Sequence, residues 1–221
     1  MDTAMAKRNI DWARVVAVPL FTFFMILNVM AIRRALGDFP PVDMLKVAGL
    51  THHLLLTCFY VLVVALYFLR SSAVSTARSW VTKAIALLAS LLPFALPILS
   101  RDLSANAVSV VLGNLIMISG MAFSIYALLV LGKSFSIIPQ ARGLVQSGPY
   151  RLIRHPLYVG EFVGMLGAVL ARLTVPAIGI LFLLAACQVY RSLKEEELLS
   201  SVFPEYENYC RKTARFIPGV F

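Results

Sequence analysis

Ser147 to Glu161 reads Ser-Gly-Pro-Tyr-Arg-Leu-Ile-Arg-His-Pro-Leu-Tyr-Val-Gly-Glu and stands directly before an apolar run. Arginine, histidine, proline and tyrosine are concentrated here at what the hydropathy predicts to be a membrane boundary. Charged groups in or near a bilayer are tolerated mainly where they face a protein interior or a water-filled cavity. The stretch is therefore the first candidate for a functional site, and the bundle is expected to be built around it.

The composition of the whole chain indicates a polytopic membrane protein. Of 221 residues, 60% are hydrophobic and only 14% are charged, against about a quarter charged in soluble domains, and the mean hydropathy is +0.83. The net charge of +9 is typical of membrane topology and contact with anionic headgroups. No aromatic-interleaved basic domain is present, which argues against nucleic-acid binding.

The apolar runs predict an all-α transmembrane bundle of four helices, a C-terminal helical hairpin and a cytoplasmic C-terminal helix that begins at Arg191. A membrane-spanning helix needs about 20 apolar residues. The predicted segments are 12–32, 47–69, 80–99 and 105–131, followed by hairpin arms 157–171 and 173–190 that are split by Arg172. We divide the chain into N-terminal transmembrane helices, 1–131, and a part that carries the candidate functional site, 132–221, with a cytoplasmic loop, the helical hairpin, the polar helix and the tail. The first segment is too long for a cleaved signal peptide and has no clean cleavage site.

Lys and Arg predict the orientation of the bundle. The connectors 70–83 and 133–154 and the tail after Arg191 are basic and fall on one side, together with Lys7, Arg8 and Arg14. By the positive-inside rule this side is the cytoplasm. We expect a multi-pass protein of a prokaryotic cytoplasmic membrane whose motif residues lie on the cytoplasmic side.

Several polar residues inside the apolar segments need an explanation. His52 and His53 point about 100° apart on a helix and have no accompanying carboxylate, which favours a hydrogen-bonding pair over metal ligands; no metal site is predicted. The cysteines show no paired metal-ligand spacing. Glu161 needs a partner such as Arg154, a tyrosine hydroxyl or a bound cation.

Two further patterns concern helix packing. Gly160, Gly164 and Ala168 form one small face on which a partner helix can pack closely, and Pro176 is expected to kink its helix. Arg191 and Glu195 have the i, i+4 spacing of an ordinary surface ion pair. The alternative is that this helix leaves the membrane beside the basic connector, so that its carboxylates close a cavity over the His155 loop.

The motif resembles a known family of membrane enzymes. Gly148-Pro149-Tyr150-Arg151 and Arg154-His155-Pro156-Leu157-Tyr158-Val159-Gly160-Glu161 are similar to the signature of the isoprenylcysteine carboxyl methyltransferase and phospholipid methyltransferase group. A second block resembles the acidic C-terminal part of that family: Arg191, Glu195-Glu196-Glu197, Phe203-Pro204-Glu205-Tyr206, Tyr209 and Phe216-Ile217-Pro218. The resemblance covers roughly residues 131–221.

The resemblance implies transfer of a methyl group from S-adenosylmethionine to an amphipathic, lipid-like acceptor. The acceptor is an isoprenoid or prenylcysteine-type carboxylate, or a phospholipid head group. Arg191 would face the acceptor, with Glu196 as the second catalytic group. The implied cofactor-binding residues are His155, Pro156, Tyr158, Gly148, Tyr150, Arg151, Arg154, Glu161 and Glu195.

The residue types suit that cofactor independently of the family. Cationic donors match its carboxylate, acidic acceptors match its ammonium and ribose hydroxyls, and aromatic faces attract its sulfonium. No glycine-rich strand-turn-helix fingerprint is present, so the site must be formed by the ends of membrane helices. Two alternatives stay open: an NADPH-dependent reductase of sterol-like or isoprenoid double bonds, whose group shares the Arg-His-Pro-x-Tyr-x-Gly segment, and a non-enzymatic scaffold or transporter.

Overall fold

The computed structural model describes residues 11–37, 44–99, 107–171 and 173–219, and it confirms an all-α polytopic membrane bundle. Within these ranges the helices are α1 (Trp12–Gly37), α2 (Met44–Leu69), α3 (Trp80–Leu99), α4 (Ala107–Leu131), α5 (Pro156–Leu170), α6 (Val175–Val202) and α7 (Tyr206–Lys212). Two 3-10 turns, Gly132–Ser134 and Gly148–Arg151, lie between α4 and α5. Lys7, Arg8 and Arg172 lie outside the described residues.

In the part of the chain that the structure describes, four helices are long and apolar enough to cross a membrane: Ala13–Gly37, Lys46–Leu69, Val108–Ser134 and Val175–Val202. The apolar parts of α3 and α5 are shorter. At 1.5 Å per residue, the 15 residues of α5 span about 22 Å, less than the roughly 30 Å of a hydrocarbon core. The expectation of a short hairpin arm after His155 therefore agrees with the structure.

The second arm of the hairpin differs from the prediction. It continues past Arg191 to Val202 as one helix, so the predicted separate polar helix is the last part of α6. Leu, Glu, Lys and Arg are good helix formers, and no Gly or Pro interrupts them there. Pro176 does not kink this helix, because it lies in the first turn, where a missing N–H costs nothing, and Thr174 caps the helix through the Ala177 N–H at 3.3 Å.

The small faces of α4 and α5 are in direct contact. A Cβ atom built on Gly160 would come within 2.8 Å of Ser124 N, and one built on Gly120 would come within 2.8 Å of Gly160 O. Such distances leave room only for glycine hydrogens, as in other small-residue helix pairs. The predicted small face of α5 therefore packs on α4, and no gap remains between the two helices at Gly160.

A loop closes the end of the bundle that carries the His155 turn, which we call the motif end. Residues Ser75–Thr76 (β1) pair antiparallel with Gln140–Ala141 (β2), a short ladder that the sequence did not predict. The Ile137 N–H donates to the Tyr67 hydroxyl at 3.1 Å. Arg70 lies over the Tyr67 ring at 4.0 Å and pairs with Asp11. The loop after α4 is thereby fixed to the ends of α1 and α2, and the division at Leu131 stays a prediction.

Candidate active site

The His155 turn is held in place by the C-terminal tail. The Arg154 N–H donates to Ala214 O at 2.9 Å and the His155 N–H to Arg215 O at 3.2 Å. Pro156 then begins α5 in the position where helices favour proline. The turn and the tail thus form one short backbone unit at the motif end, which fixes both side chains against α6.

Glu196 lies at the centre of a cluster of positive and imidazole groups. Its Oε1 accepts from Arg154 Nε at 2.9 Å and lies 3.1 Å from His155 Nε2, while Oε2 accepts from Arg215 Nη2 at 2.8 Å. The hydrogen bond to Glu196 raises the pKa of Arg215. The predicted meeting of the histidine turn with the glutamate helix is therefore present in the structure, and Arg215 is a member that the sequence argument missed.

Tyr158 connects this cluster to the next carboxylate of α6. Its hydroxyl donates to Glu195, and its ring stacks on the His155 ring with centroids 5.3 Å apart and an interplanar angle of 9°. Glu195 Oε2 lies 3.8 Å from His155 Nδ1. Glu196 is thus within hydrogen-bonding distance of one imidazole nitrogen, while Glu195 lies near the other at a longer distance.

Arg191 is buried, with only 3% of its surface exposed. Its Nη2 donates to Ile137 O at 2.9 Å and its Nη1 to Gln188 Oε1 at 3.3 Å, and the guanidinium lies 4.6 Å from the Tyr158 ring centroid. Among the residues that the structure describes, Arg191 makes no ion pair with Glu195 within 4 Å. The surface-pair interpretation is wrong because Arg191 is buried where this turn of α6 contacts the loop after α4 at Ile137. Its buried Nε has no hydrogen-bond partner in the described ranges.

Gln188 is the partner of Glu161. Its Nε2 donates to Glu161 Oε2 at 2.6 Å while its Oε1 accepts from Arg191. The predicted partner Arg154 is instead bound to Glu196, and no described tyrosine hydroxyl bonds to Glu161. A sequence signal existed, because Gln188 is a polar residue inside an apolar run, three positions before Arg191 on the same helix face.

Two cavities lie on either side of a layer formed by Tyr158, Leu157 and Phe135. The smaller has a volume of about 100 Å³. Its polar lining includes five of the predicted cofactor-binding residues and Tyr206 from the second motif block. The six are Tyr150, Arg154, His155, Tyr158, Glu195 and Tyr206. The hydroxyls of Tyr150 and Tyr206 are buried without a partner in the described part of the chain, and burial raises the pKa of both groups, so they stay protonated.

The larger cavity has a volume of about 730 Å³ and runs between the helices. Its lining is mostly apolar, but Glu161 and Arg191 face it at the motif end. Phe135 and Leu157 line both cavities. The layer of Tyr158, Leu157 and Phe135 therefore separates a small polar space from a large apolar one.

The remaining predicted site residues lie outside the smaller cavity. Pro156 is fully buried at the start of α5, and Arg151 is exposed. Gly148, at φ +54°, forms the turn against Val130. Glu196 lines neither cavity, which suits a residue that holds Arg154 and His155 in position. The roles of these residues stay predictions.

Of the two histidines of α2, His53 makes an interhelical hydrogen-bonding contact of the kind that the sequence favours, whereas His52 Nδ1 has no partner among the described residues. His53 Nδ1 lies 2.7 Å from Asn28 Oδ1 on α1, and the His52 and His53 rings are 5.7 Å apart. Within the described ranges, no group of three or more His, Cys, Asp or Glu side chains is placed to hold a metal ion.

Parts of this chain resemble known proteins. The model of a family described as phospholipid methyltransferase matches residues 107–206. The nickel-cobalt-cadmium resistance protein NccN of Alcaligenes xylosoxydans xylosoxydans is 47% identical over 78 residues, which are 34% of this chain and 36% of that protein. The cobalt-zinc-cadmium resistance protein CzcN of Cupriavidus metallidurans is 45% identical over 78 residues, 34% of this chain and 35% of that protein. The chain thus matches about a third of the length of these curated relatives.

Proposed function

We propose that this protein transfers a methyl group from S-adenosylmethionine to a lipid-like amphiphile. The match of residues 107–206 to the phospholipid methyltransferase family model supports a membrane methyltransferase in general. The reaction takes place at the cytoplasmic interface of the membrane. The acceptor has its apolar part in the large cavity and its head beside Arg191.

The observation that carries this proposal is the pair of adjoining cavities. A polar, titratable space and an apolar space of about 730 Å³ share Phe135 and Leu157 as walls, with Arg191 and Tyr158 in van der Waals range of each other. A methyl transfer between a polar donor and a lipid acceptor needs two such sites in contact. Because the reaction needs little covalent help from the protein, alignment of the two reactants and exclusion of water supply the acceleration.

The residues around the smaller cavity fit S-adenosylmethionine. Unpartnered hydroxyls of Tyr150 and Tyr206 offer hydrogen bonds, Glu195 offers a carboxylate, and the Tyr158 and His155 rings offer aromatic faces. The space of about 100 Å³ is below the roughly 300 Å³ of common ligand pockets, so binding requires the loop after α4 or the tail to move outward. When bound, this cofactor supplies an electrophilic methyl group.

Arg191 and Glu161 are the groups that contact the acceptor head. Arg191 has an unpartnered Nε and faces the large cavity, so it orients a carboxylate acceptor by charge-assisted hydrogen bonds. For an amine or hydroxyl acceptor, Glu161 takes the proton, since its Oε2 is held by Gln188 while the side chain faces the same cavity. We assign Glu196, predicted as catalytic, to positioning Arg154 and His155.

Binding of S-adenosylmethionine and of NADPH to the detergent-purified protein, by calorimetry, tests the cofactor. We expect binding of S-adenosylmethionine alone; binding of NADPH alone would favour the reductase, and binding of neither would favour a scaffold. A lipid extract incubated with methyl-labelled cofactor then tests the reaction. Arg191→Ala should abolish label transfer while cofactor binding persists, and Arg211→Ala, an exposed arginine paired with Glu207, is the matched control.

A further inference from the structure

The large cavity is polar at both ends. At the end opposite Arg191, which we call the far end, its lining includes Asn28, His52, His53 and Asn114. Asn114 follows Gly113, whose added Cβ would lie 2.7 Å from Ala171 N just beyond the last turn of α5, which places it far from the His155 turn. Between the two ends the wall is mostly apolar and aromatic, with Ser90 and Ser124 as its polar members.

The far end contains a buried hydrogen-bonding atom that has no partner among the described residues. Asn28 Nδ2 donates to His53 O and to Thr57 Oγ1, each at 2.7 Å, and its Oδ1 lies 2.7 Å from His53 Nδ1. These contacts pair both polar atoms of the Asn28 side chain and the Nδ1 of His53. His52 Nδ1 is buried and has no partner among the described residues, although His52 lines the cavity.

The distance between the two ends of the large cavity is close to the length of a long hydrocarbon chain. Tyr67 marks the depth of Arg191, because Ile137 donates to the Tyr67 hydroxyl and accepts from Arg191. His53 lies 14 positions before Tyr67 on α2, which corresponds to about 21 Å at the rise of an α-helix. His52 is about 12 Å from the start of α2 at Met44 by the same rise, so it lies inside the apolar layer.

We propose that the ligand of the large cavity is a single-chain amphiphile with a polar group at each end, one at Arg191 and Glu161 and the other at His52. A polar side chain inside a membrane is costly unless it is paired, and a purely hydrocarbon tail would leave His52 unpaired. A hydroxyl or carbonyl at the far end of the tail satisfies it. The inference rests on the proposed function in taking this ligand as the methyl acceptor.

Binding of two chain-matched probes, hexadecanoic acid and 16-hydroxyhexadecanoic acid, to the purified full chain in detergent micelles tests the inference. We expect the hydroxy acid to bind about tenfold more tightly, the equivalent of one hydrogen bond made in an apolar site. His52→Leu should abolish this preference without weakening the unsubstituted acid. His52→Gln, which keeps a hydrogen-bonding group, should retain most of it.

Thr51→Val is the matched control, because its hydroxyl bonds within α2 to Val47 O, and it should leave the preference intact. Equal affinity for both probes, binding of neither, or an equal effect of Thr51→Val would overturn the inference. Label transfer from S-adenosylmethionine is measured separately. If label transfer fails while the preference for the hydroxy acid persists, the proposed reaction is wrong and the two-ended ligand is retained. If label transfer succeeds while that preference is absent, the two-ended ligand is wrong and the proposed reaction is retained.

Discussion

Glu196→Gln removes one negative charge from the most heavily paired carboxylate of the motif end and keeps its shape. Arg154, His155 and Arg215 approach Glu196 at 2.8 to 3.1 Å. The side chains of the two arginines are 11% and 16% exposed and that of Glu196 is 12% exposed, so water does not replace the lost partner. Breaking a buried ion pair on one side costs about 3–5 kcal/mol.

The neighbouring Glu197 supplies the comparison. Its side chain is 70% exposed and pairs with Lys194, which is 41% exposed, and exposed pairs of this kind contribute little to stability. Chemical unfolding of the Glu196→Gln and Glu197→Gln variants in mixed micelles measures both free energies of unfolding under one condition. We expect a loss near 3 kcal/mol for Glu196→Gln, the low end of the range, because glutamine still accepts one hydrogen bond. A loss indistinguishable from that of Glu197→Gln would refute the claim that the ion cluster fixes the site.

Three further outcomes follow from the described contacts. Gly160→Ala should lower the free energy of unfolding by about 1–3 kcal/mol through overpacking, measured against Gly179→Ala, where a Cβ meets nothing within 4 Å. Burial raises the pKa of Asp11, but the hydrogen bond and charge of Arg70 outweigh it, so the net shift is downward. The stability from this pair is therefore complete above the ordinary aspartate pKa and is lost as the pH falls through the folded value; Asp11→Asn should remove that part of an acid melting profile, and an unchanged profile would contradict the pairing. Arg191→Lys should slow label transfer about 10- to 100-fold, the loss of one charge-assisted hydrogen bond, with S-adenosylmethionine affinity unchanged in calorimetry.

The bundle and the place of the site followed from the sequence because their signals are local. Each membrane segment is apolar around its whole circumference, and the motif stands at a hydropathy boundary, so the bounds of α2 to α5 came close to those observed. The contact of His155 with α6 followed from orientation, since charge counting placed both on one side. These arguments use only the order of residues along the chain.

The individual pairings could not be predicted, because they depend on distances between segments that are far apart in sequence. Arg154 was one of the candidate partners of Glu161, and only the packed turn shows that Arg154 binds Glu196 while Gln188 binds Glu161. Arg215 reaches the cluster only because the tail crosses the His155 turn. The β1–β2 ladder has two residues per strand, too few to leave a periodic signal.

The glycine contact between α4 and α5 has a mechanical consequence. Two helices whose backbones are in contact cannot slide or tilt past each other without collision, so α4 and α5 move as one rigid unit. The Gly148 turn packs against this unit through Val130. Under the proposed function, admission of a nucleotide-sized cofactor at the motif end would require movement of the segments around these two helices, namely the loop that carries Ile137 and the tail that carries Arg215. Cross-linking the loop to α2 should therefore block entry and release of the cofactor, whereas cross-linking α4 to α5 should leave both unchanged.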